Sequence, residues 1–227
     1  MARRKQTRGT CSYCGRVLAR SGMLRHLETC PQREAAIAAA NQGVGATEKL
    51  YHLRVQDKWS GDFWLDLEMR GSATLQELDA YLRAIWLECC GHLSEFSLGD
   101  WPRQEIPMER RADQVFRSNV ECTHVYDFGT SSHTLVKAVN MREGKALTPH
   151  PIVLMTRNLP PEAACIECGQ PAGWLCIQCL YEHDLVGALC DTHVDEHPHD
   201  DYGGPLPLLN SPRTGMCGYT GPDEPPY

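Results

Sequence analysis

The residues of this chain best suited to chemistry are cysteines and histidines in tight spacing. Two Cys-x-x-Cys pairs, Cys165/Cys168 and Cys176/Cys179, stand seven residues apart, and Cys190, His193, His197 and His199 follow. One tetrahedral ion held by two such pairs usually needs about 15–20 residues between them. The short separation predicts interleaving instead: Cys165 and Cys168 share one ion with Cys190 and His193, and Cys176 and Cys179 share another with His197 and His199. His183 lies in the spacer before Cys190 and could replace one of the later histidines. His199 follows Pro198, which constrains its approach. A third set is N-terminal. Cys11 and Cys14 are followed after eleven residues by His26, and after three more by Cys30. His26 and Cys30, four apart, project from one face of a helix. Four nitrogen and sulfur ligands in a tetrahedron select Zn²⁺, and a filled shell makes the ion structural. About three zinc ions per chain are expected on this ligand rule. A catalytic zinc keeps a position open for water, and thiolate-rich ligation makes a poor Lewis acid. Labile thiolates leave a redox-sensing or zinc-sensing role as an alternative.

Other polar residues could form a groove: His92, Glu95, Tyr126 and Asp127. A hydrolase-like enzyme built around His92, Glu95 and Asp127 is the enzymatic alternative, although no nucleophile and base stand at informative spacing. The simpler account has His92 capping a helix end and Asp127 organising the Asp-Phe-Gly turn. Cys89 and Cys90 fall at a helix C-terminus, where the dipole disfavours a thiolate, so Cys89 is better explained by core packing. Two Cys-x-His pairs, Cys90/His92 and Cys122/His124, suggest one further metal site, because alternate residues of a strand point the same way.

Composition narrows the class. The chain has 227 residues and 42% hydrophobic content, as a globular protein does. No run of about 18 apolar residues offers a membrane span, and no apolar stretch follows the basic N-terminus, so a cytoplasmic protein is expected. Twelve cysteines in such a setting read as metal ligands rather than disulfides. Residues 1–33 carry eight Lys/Arg against Glu28 alone, a net charge of +7, which leaves −14 on the rest of a −7 chain. Any contact with a polyanion is therefore expected at the N-terminus, through Arg3, Arg4, Lys5, Arg8, Arg16, Arg20 and Arg25, and the alternative is a solvated basic tail that aids solubility.

The elements that would position these groups fall into five segments. Residues 1–33 form a zinc finger with a basic tail. Residues 34–48 are a linker that opens with an Ala-rich helix. Residues 49–157 form the main domain, 158–200 the second cysteine-rich module, and 201–227 a Pro/Gly-rich tail expected to be mostly disordered. In the main domain, Tyr51, Leu53 and Val55 alternate, then Phe63, Leu65, Leu67 and Met69, which predicts a β-hairpin. Thr74 and Glu77 form a capping box. The helix it opens places Leu75, Leu78, Leu82, Ile85 and Cys89 on one face and stops at Gly91. Strands follow near "HLSEFSLG", "CTHVYDFG", "HTLVKAVNM" and "PIVLMTR". The expected fold is α+β, a mostly antiparallel sheet packed on one long helix and flanked by two small zinc modules. In the finger, Ser21 would cap the helix, and Leu18 and Met23 would form a small core.

Three resemblances accompany these readings. The finger resembles those of the two-Cys, two-His type, with Cys30 in place of the second histidine and a spacer of eleven residues rather than the usual twelve. The order of pairs over residues 165–199 resembles B-box domains, which serve protein–protein contacts. The stretches "YHLRVQDKWSGDFWLDLEM", "TLQELDAYLRAIWLECCGHLSEF" and "YDFGTSSHTLVKAV" resemble the plasmid pRiA4b ORF-three-like family over residues 49–157. That resemblance implies an α+β domain of prokaryotic origin, with His92, Glu95, Tyr126 and Asp127 at the family's polar positions. It carries no established activity, and Thr130, Ser131 and Ser132 depart from the acidic residue and Trp that often follow "YDFG". The expected function is a zinc-stabilised, non-enzymatic interaction protein with a protein partner and a finger able to touch nucleic acid.

Overall fold

Alternation and capping build the elements expected of the main domain. The computed structural model describes residues 7–99, 103–117, 120–183, 185–199 and 201–227. Its strands are β1 (Arg8–Cys11), β2 (Val17–Ala19), β3 (Glu48–Asp57), β4 (Trp64–Arg70), β5 (Ser94–Leu98), β6 (Gln104–Ile106), β7 (Glu121–Tyr126), β8 (Ser132–Gly144) and β9 (Ile152–Asn158). They form one antiparallel sheet in the order β2-β1-β9-β4-β3-β8-β7-β5-β6. The hairpin of β3 and β4 runs in register from Leu50↔Arg70 to Gln56↔Trp64.

The helices are short. They are α1 (Arg20–Glu28), α2 (Pro31–Gln42), α3 (Leu75–Leu82), α4 (Ala112–Val115) and α5 (Ile177–Glu182). The one long helix expected after Thr74 is α3 extended only by a π-helical turn, Arg83–Leu87. The capping box is present: Thr74 donates its backbone N–H to Glu77 Oε2 at 2.7 Å, and Glu77 N–H donates to Thr74 Oγ1 at 3.3 Å. Leu75, Leu78, Leu82 and Ile85 are fully buried against Leu53, Val55, Leu65, Leu67 and Met69 of the hairpin. Each such side chain contributes about 1.5–3 kcal/mol on leaving water.

The hairpin is buried on both faces. The alternate set Trp64, Asp66 and Glu68 points away from α3 and is buried too. Trp64 packs with Cys11, Met23, Leu27, Cys30 and Met155, so the finger lies on this second face of the sheet. The finger is not a flanking module. Its hairpin of β1 and β2 joins the main sheet through β1, with Gly9↔Asn158 and Cys11↔Thr156 in register on β9. Leu18 and Met23 do belong to its core, but α1 begins after Ala19, and that cap makes no side-chain hydrogen bond. Buried acids on this face are matched by bases. Asp66 accepts from Arg54 at 2.8 and 2.9 Å and lies 2.9 Å from His52 Nε2, while Glu68 accepts from Arg142 at 2.6 Å and Arg33 at 3.3 Å.

The C-terminal module has its own small sheet, β11 (Gly187–Leu189), β10 (Trp174–Cys176) and β12 (Leu206–Pro207), in that order. β12 belongs to the tail, and this corrects the expectation of disorder over 201–227. Beyond β12 the tail packs on the main domain. Ser211 Oγ donates to the Trp86 carbonyl at 2.6 Å, Arg213 is fully buried against Asp127 at 2.5 Å, Tyr219 is fully buried, and Tyr227 stacks on His150. The tail therefore stitches the cysteine-rich module to the sheet.

Candidate metal centres

Local backbone geometry brings the first tetrad together. After Cys11 the chain turns through Cys14 to Gly15, whose N–H returns to the Cys11 carbonyl at 2.8 Å. Gly15 has φ +71°, a conformation that favours glycine. His26 projects from α1, but Cys30 lies beyond that helix at the N-cap of α2, which corrects the expectation that both project from one face of a single helix. The donor atoms of Cys11, Cys14, His26 and Cys30 lie within 4.8 Å of one another, with Cys14 Sγ 3.3 Å from His26 Nε2. Burial pushes the Cys11 thiol up to about 11, while the backbone N–H of Arg16 lowers Cys14.

The same turn recurs in the C-terminal module, where Gly169, φ +73°, donates to the Cys165 carbonyl at 2.8 Å. It presents Cys165 and Cys168 to Cys190 and His193, which meet within 4.8 Å. Cys165 Sγ is 3.6 Å and Cys190 Sγ 3.3 Å from His193 Nδ1, and Cys168 Sγ is 3.8 Å from Cys190 Sγ. Burial alone would raise the Cys165 thiol, but the backbone N–H groups of Cys190, Glu167 and Cys168 outweigh it and bring it down to about 6. Cys176, at the N-cap of α5, and Cys179 within that helix meet His197 and His199 in the same way. Cys179 Sγ is 3.3 Å from His197 Nε2 and 3.2 Å from His199 Nδ1. First with third and second with fourth is the interleaving that the seven-residue spacing implies. His183 lies beside the His199 ring, 5.3 Å between centroids, outside the tetrad.

A tetrahedral ion with bonds of about 2.3 Å to sulfur and 2.0–2.1 Å to nitrogen requires sulfurs about 3.8 Å apart and sulfur–nitrogen pairs about 3.6 Å apart. The separations above fall close to those values, and thiolate with imidazole is a donor set suited to zinc.

A fourth cluster arises where spacing did not foretell it. Cys89, Cys90, His92 and Cys217 gather their donor atoms within 4.8 Å. The pairing of Cys90 and His92 with Cys122 and His124 does not occur. Cys122 is buried in the main core, and buried His124 lies 2.7 Å from Asp79. Among the described residues, four Cys/His clusters could each hold a metal ion. Cys217 carried no sequence signal beyond being a cysteine left without neighbours of its kind.

The groove residues do not share one site. His92, Tyr126 and Asp127 are adjacent, with His92 Nε2 3.4 Å from Asp127 Oδ2 and its ring edge-on to Tyr126. Asp127 adopts φ +65° and is held by Arg213, which keeps its carboxyl below the usual range against the raising effect of burial. Glu95 pairs instead with Arg103 at 3.0 Å. A surface cavity of about 490 Å³ opens elsewhere, lined by Lys49, Tyr51, Phe116 and Arg117 among others. Of the basic residues proposed for nucleic acid, Arg3, Arg4 and Lys5 lie outside the described residues. Arg20 is engaged with the Gly61 carbonyl at 2.8 Å, and Arg8 donates to the Val17 carbonyl at 3.0 Å. Arg16 and Arg25 are exposed. Among the described residues no helix is long and apolar enough to cross a membrane.

No protein-family model matches the chain, and no curated protein matches it. Among solved structures it is similar to a protein of unknown function, MM3350 from Methanosarcina mazei Go1, at 19% identity and a TM-score of 0.39. The match covers 46% of this chain and 66% of the other, just under two thirds of that protein's length.

Proposed function

We propose that this chain is a non-enzymatic, zinc-stabilised interaction protein of a prokaryotic cytoplasm. Zinc in the finger and in both halves of the C-terminal cross-brace frames a central domain of the pRiA4b ORF-three-like type. The observation that carries this reading is the composition of the three tetrads Cys11/Cys14/His26/Cys30, Cys165/Cys168/Cys190/His193 and Cys176/Cys179/His197/His199. Four protein donors fill a tetrahedron and leave no position for a reacting water, so such zinc holds surfaces rather than turning over substrate. A hydrolytic role for His92, Glu95 and Asp127 is disfavoured, because Arg213 and Arg103 already engage the two carboxylates. The partner on this reading is a protein docking on the rigid cross-brace. The test is elemental analysis of the full chain and of Cys11→Ser, Cys165→Ser and Cys176→Ser. Each variant should lose one zinc, and an unchanged count in any of them would remove that site.

A second contact, with nucleic acid, is favoured by the exposed Arg16 and Arg25 on the finger. A single finger covers only about three base pairs, so the contact would be electrostatic and weaken steeply with salt. Fluorescence anisotropy with duplex and single-stranded oligonucleotides at low and moderate salt tests it. Binding unaffected by salt or by Arg16→Ala/Arg25→Ala would exclude it.

A further inference from the structure

We propose that Cys89, Cys90, His92 and Cys217 form a fourth zinc site, and that this ion latches the C-terminal tail to the main domain. The site is separate from the three tetrads of the proposed function and does not depend on them. Its edges match a tetrahedral ion: Cys89 and Cys90 Sγ are 3.6 Å apart, Cys90 and Cys217 Sγ 3.8 Å, and Cys217 Sγ is 3.5 Å from His92 Nε2. The Cys90–His92 edge, 2.9 Å, is shorter. None of these sulfurs is in a disulfide. Three thiols and an imidazole whose donor atoms all lie within 4.8 Å of one another, with Tyr126, Arg213 and Asp127 adjacent, form a donor set with the softness and geometry that zinc selects.

The surroundings support the same assignment. Gly91, φ +77°, lets the chain turn so that Cys90 and His92 converge. Three thiolates with one Zn²⁺ carry a net charge of −1, and the Arg213 guanidinium stands against the Cys89 sulfur at 3.5 Å while also donating to Asp127, the Thr130 carbonyl and Ser132 Oγ. Hydrogen bonds from outside the ligand shell orient and tune metal-bound thiolates in this way. Arg213 and Cys217 both come from the tail, whereas Cys89, Cys90, His92 and Asp127 come from the main domain. One ion would therefore cross-link positions 127 residues apart along the chain. It would hold in place the segment that contributes β12 to the cross-brace sheet.

The test uses the full chain, purified in reductant without added metal. Elemental analysis should give four zinc ions per chain, and Cys217→Ser should give three. Arg213 is fully buried, so trypsin cleavage after it should be slow in the native chain and faster by about tenfold or more in Cys217→Ser, since cleavage follows the opened population. Exchange into ¹¹³Cd provides a measurement without a variant: four resonances are expected, three from Cys₃His sites and one from Cys₂His₂. Three resonances, or an unchanged zinc count in Cys217→Ser, would overturn the fourth site. So would a Cys90–Cys217 disulfide in non-reducing peptide maps of that preparation. A chain with three zinc ions, lost one by one in Cys11→Ser, Cys165→Ser and Cys176→Ser, would sink this site while leaving the proposed function standing. A chain with a single zinc lost in Cys217→Ser would do the reverse.

Discussion

The two cysteine-rich regions use the same turn and related ligand sets, yet they are supported differently. The finger shares a core with Trp64 and Met155 and lends a strand pair to the nine-stranded sheet. The C-terminal module gathers a buried cluster composed largely of its own ligands, Cys165, Cys176, Cys179 and Cys190, with Leu189. Chains of this size bury too little apolar surface to fold alone, and metal binding then supplies the folding free energy. In the finger, packing shares that task. The contrast teaches that a ligand pattern predicts a metal site but not how much of the local fold depends on it.

Metal removal should separate the two regions most. A strong chelator should strip protection from the amides of residues 165–199, while β1, paired with β9, stays protected. Hydrogen exchange followed by mass spectrometry reads this directly, and equal loss in both regions would break the comparison. Trp64→Ala should then erase the difference by removing the shared core. A cost of about 3–5 kcal/mol is expected for truncating a buried aromatic, and the finger should become as chelator-sensitive as the C-terminal module. Denaturant melts, with exchange on β1 and α1, would show it; a variant that is destabilised but keeps a chelator-resistant finger would count against the shared-core account.

The polar layer beneath the finger has a pH signature. Burial would raise the Asp66 carboxyl, but hydrogen bonds from His52 and Arg54 outweigh it and lower it below its ordinary 3.8. A group lowered on folding stabilises the fold above its unfolded pKa, and that contribution disappears as pH falls through the folded value. Stability should thus fall with acid below about 3.8. Asp66→Asn should flatten that dependence and cost about 3 kcal/mol at neutral pH, because Arg54 is left buried without its anion. An acid profile identical to that of the parent would refute this. The smallest effect is expected from Arg20→Ala, which frees α1 from the Gly61 carbonyl. About 1 kcal/mol is expected for such a hydrogen bond, with exchange increasing only in α1. An effect spread over the whole sheet would mean that the finger is coupled more tightly than its contacts imply.

Much of this molecule is determined over short stretches of chain. The turn after Cys11 and its repeat after Cys165, the Thr74–Glu77 capping box and the alternation of β3 and β4 each follow from backbone geometry within a few residues. The sequence alone therefore groups the donors into three tetrads, because spacing limits which pairs can face one ion, but it leaves His183 as an alternative to a later histidine, and only the tertiary structure puts His197 and His199 with Cys176 and Cys179. Other features depend on tertiary packing. Trp64, Asp66 and Glu68 read as the outward side of a hairpin until the finger covers them. The Pro/Gly-rich tail has no periodicity to signal order, yet Arg213 and Tyr219 are buried by surfaces made far upstream. Cys217 meets Cys89, Cys90 and His92 for the same reason. No local rule links residues so distant in sequence, and the meeting is set by how the whole sheet and its tail pack.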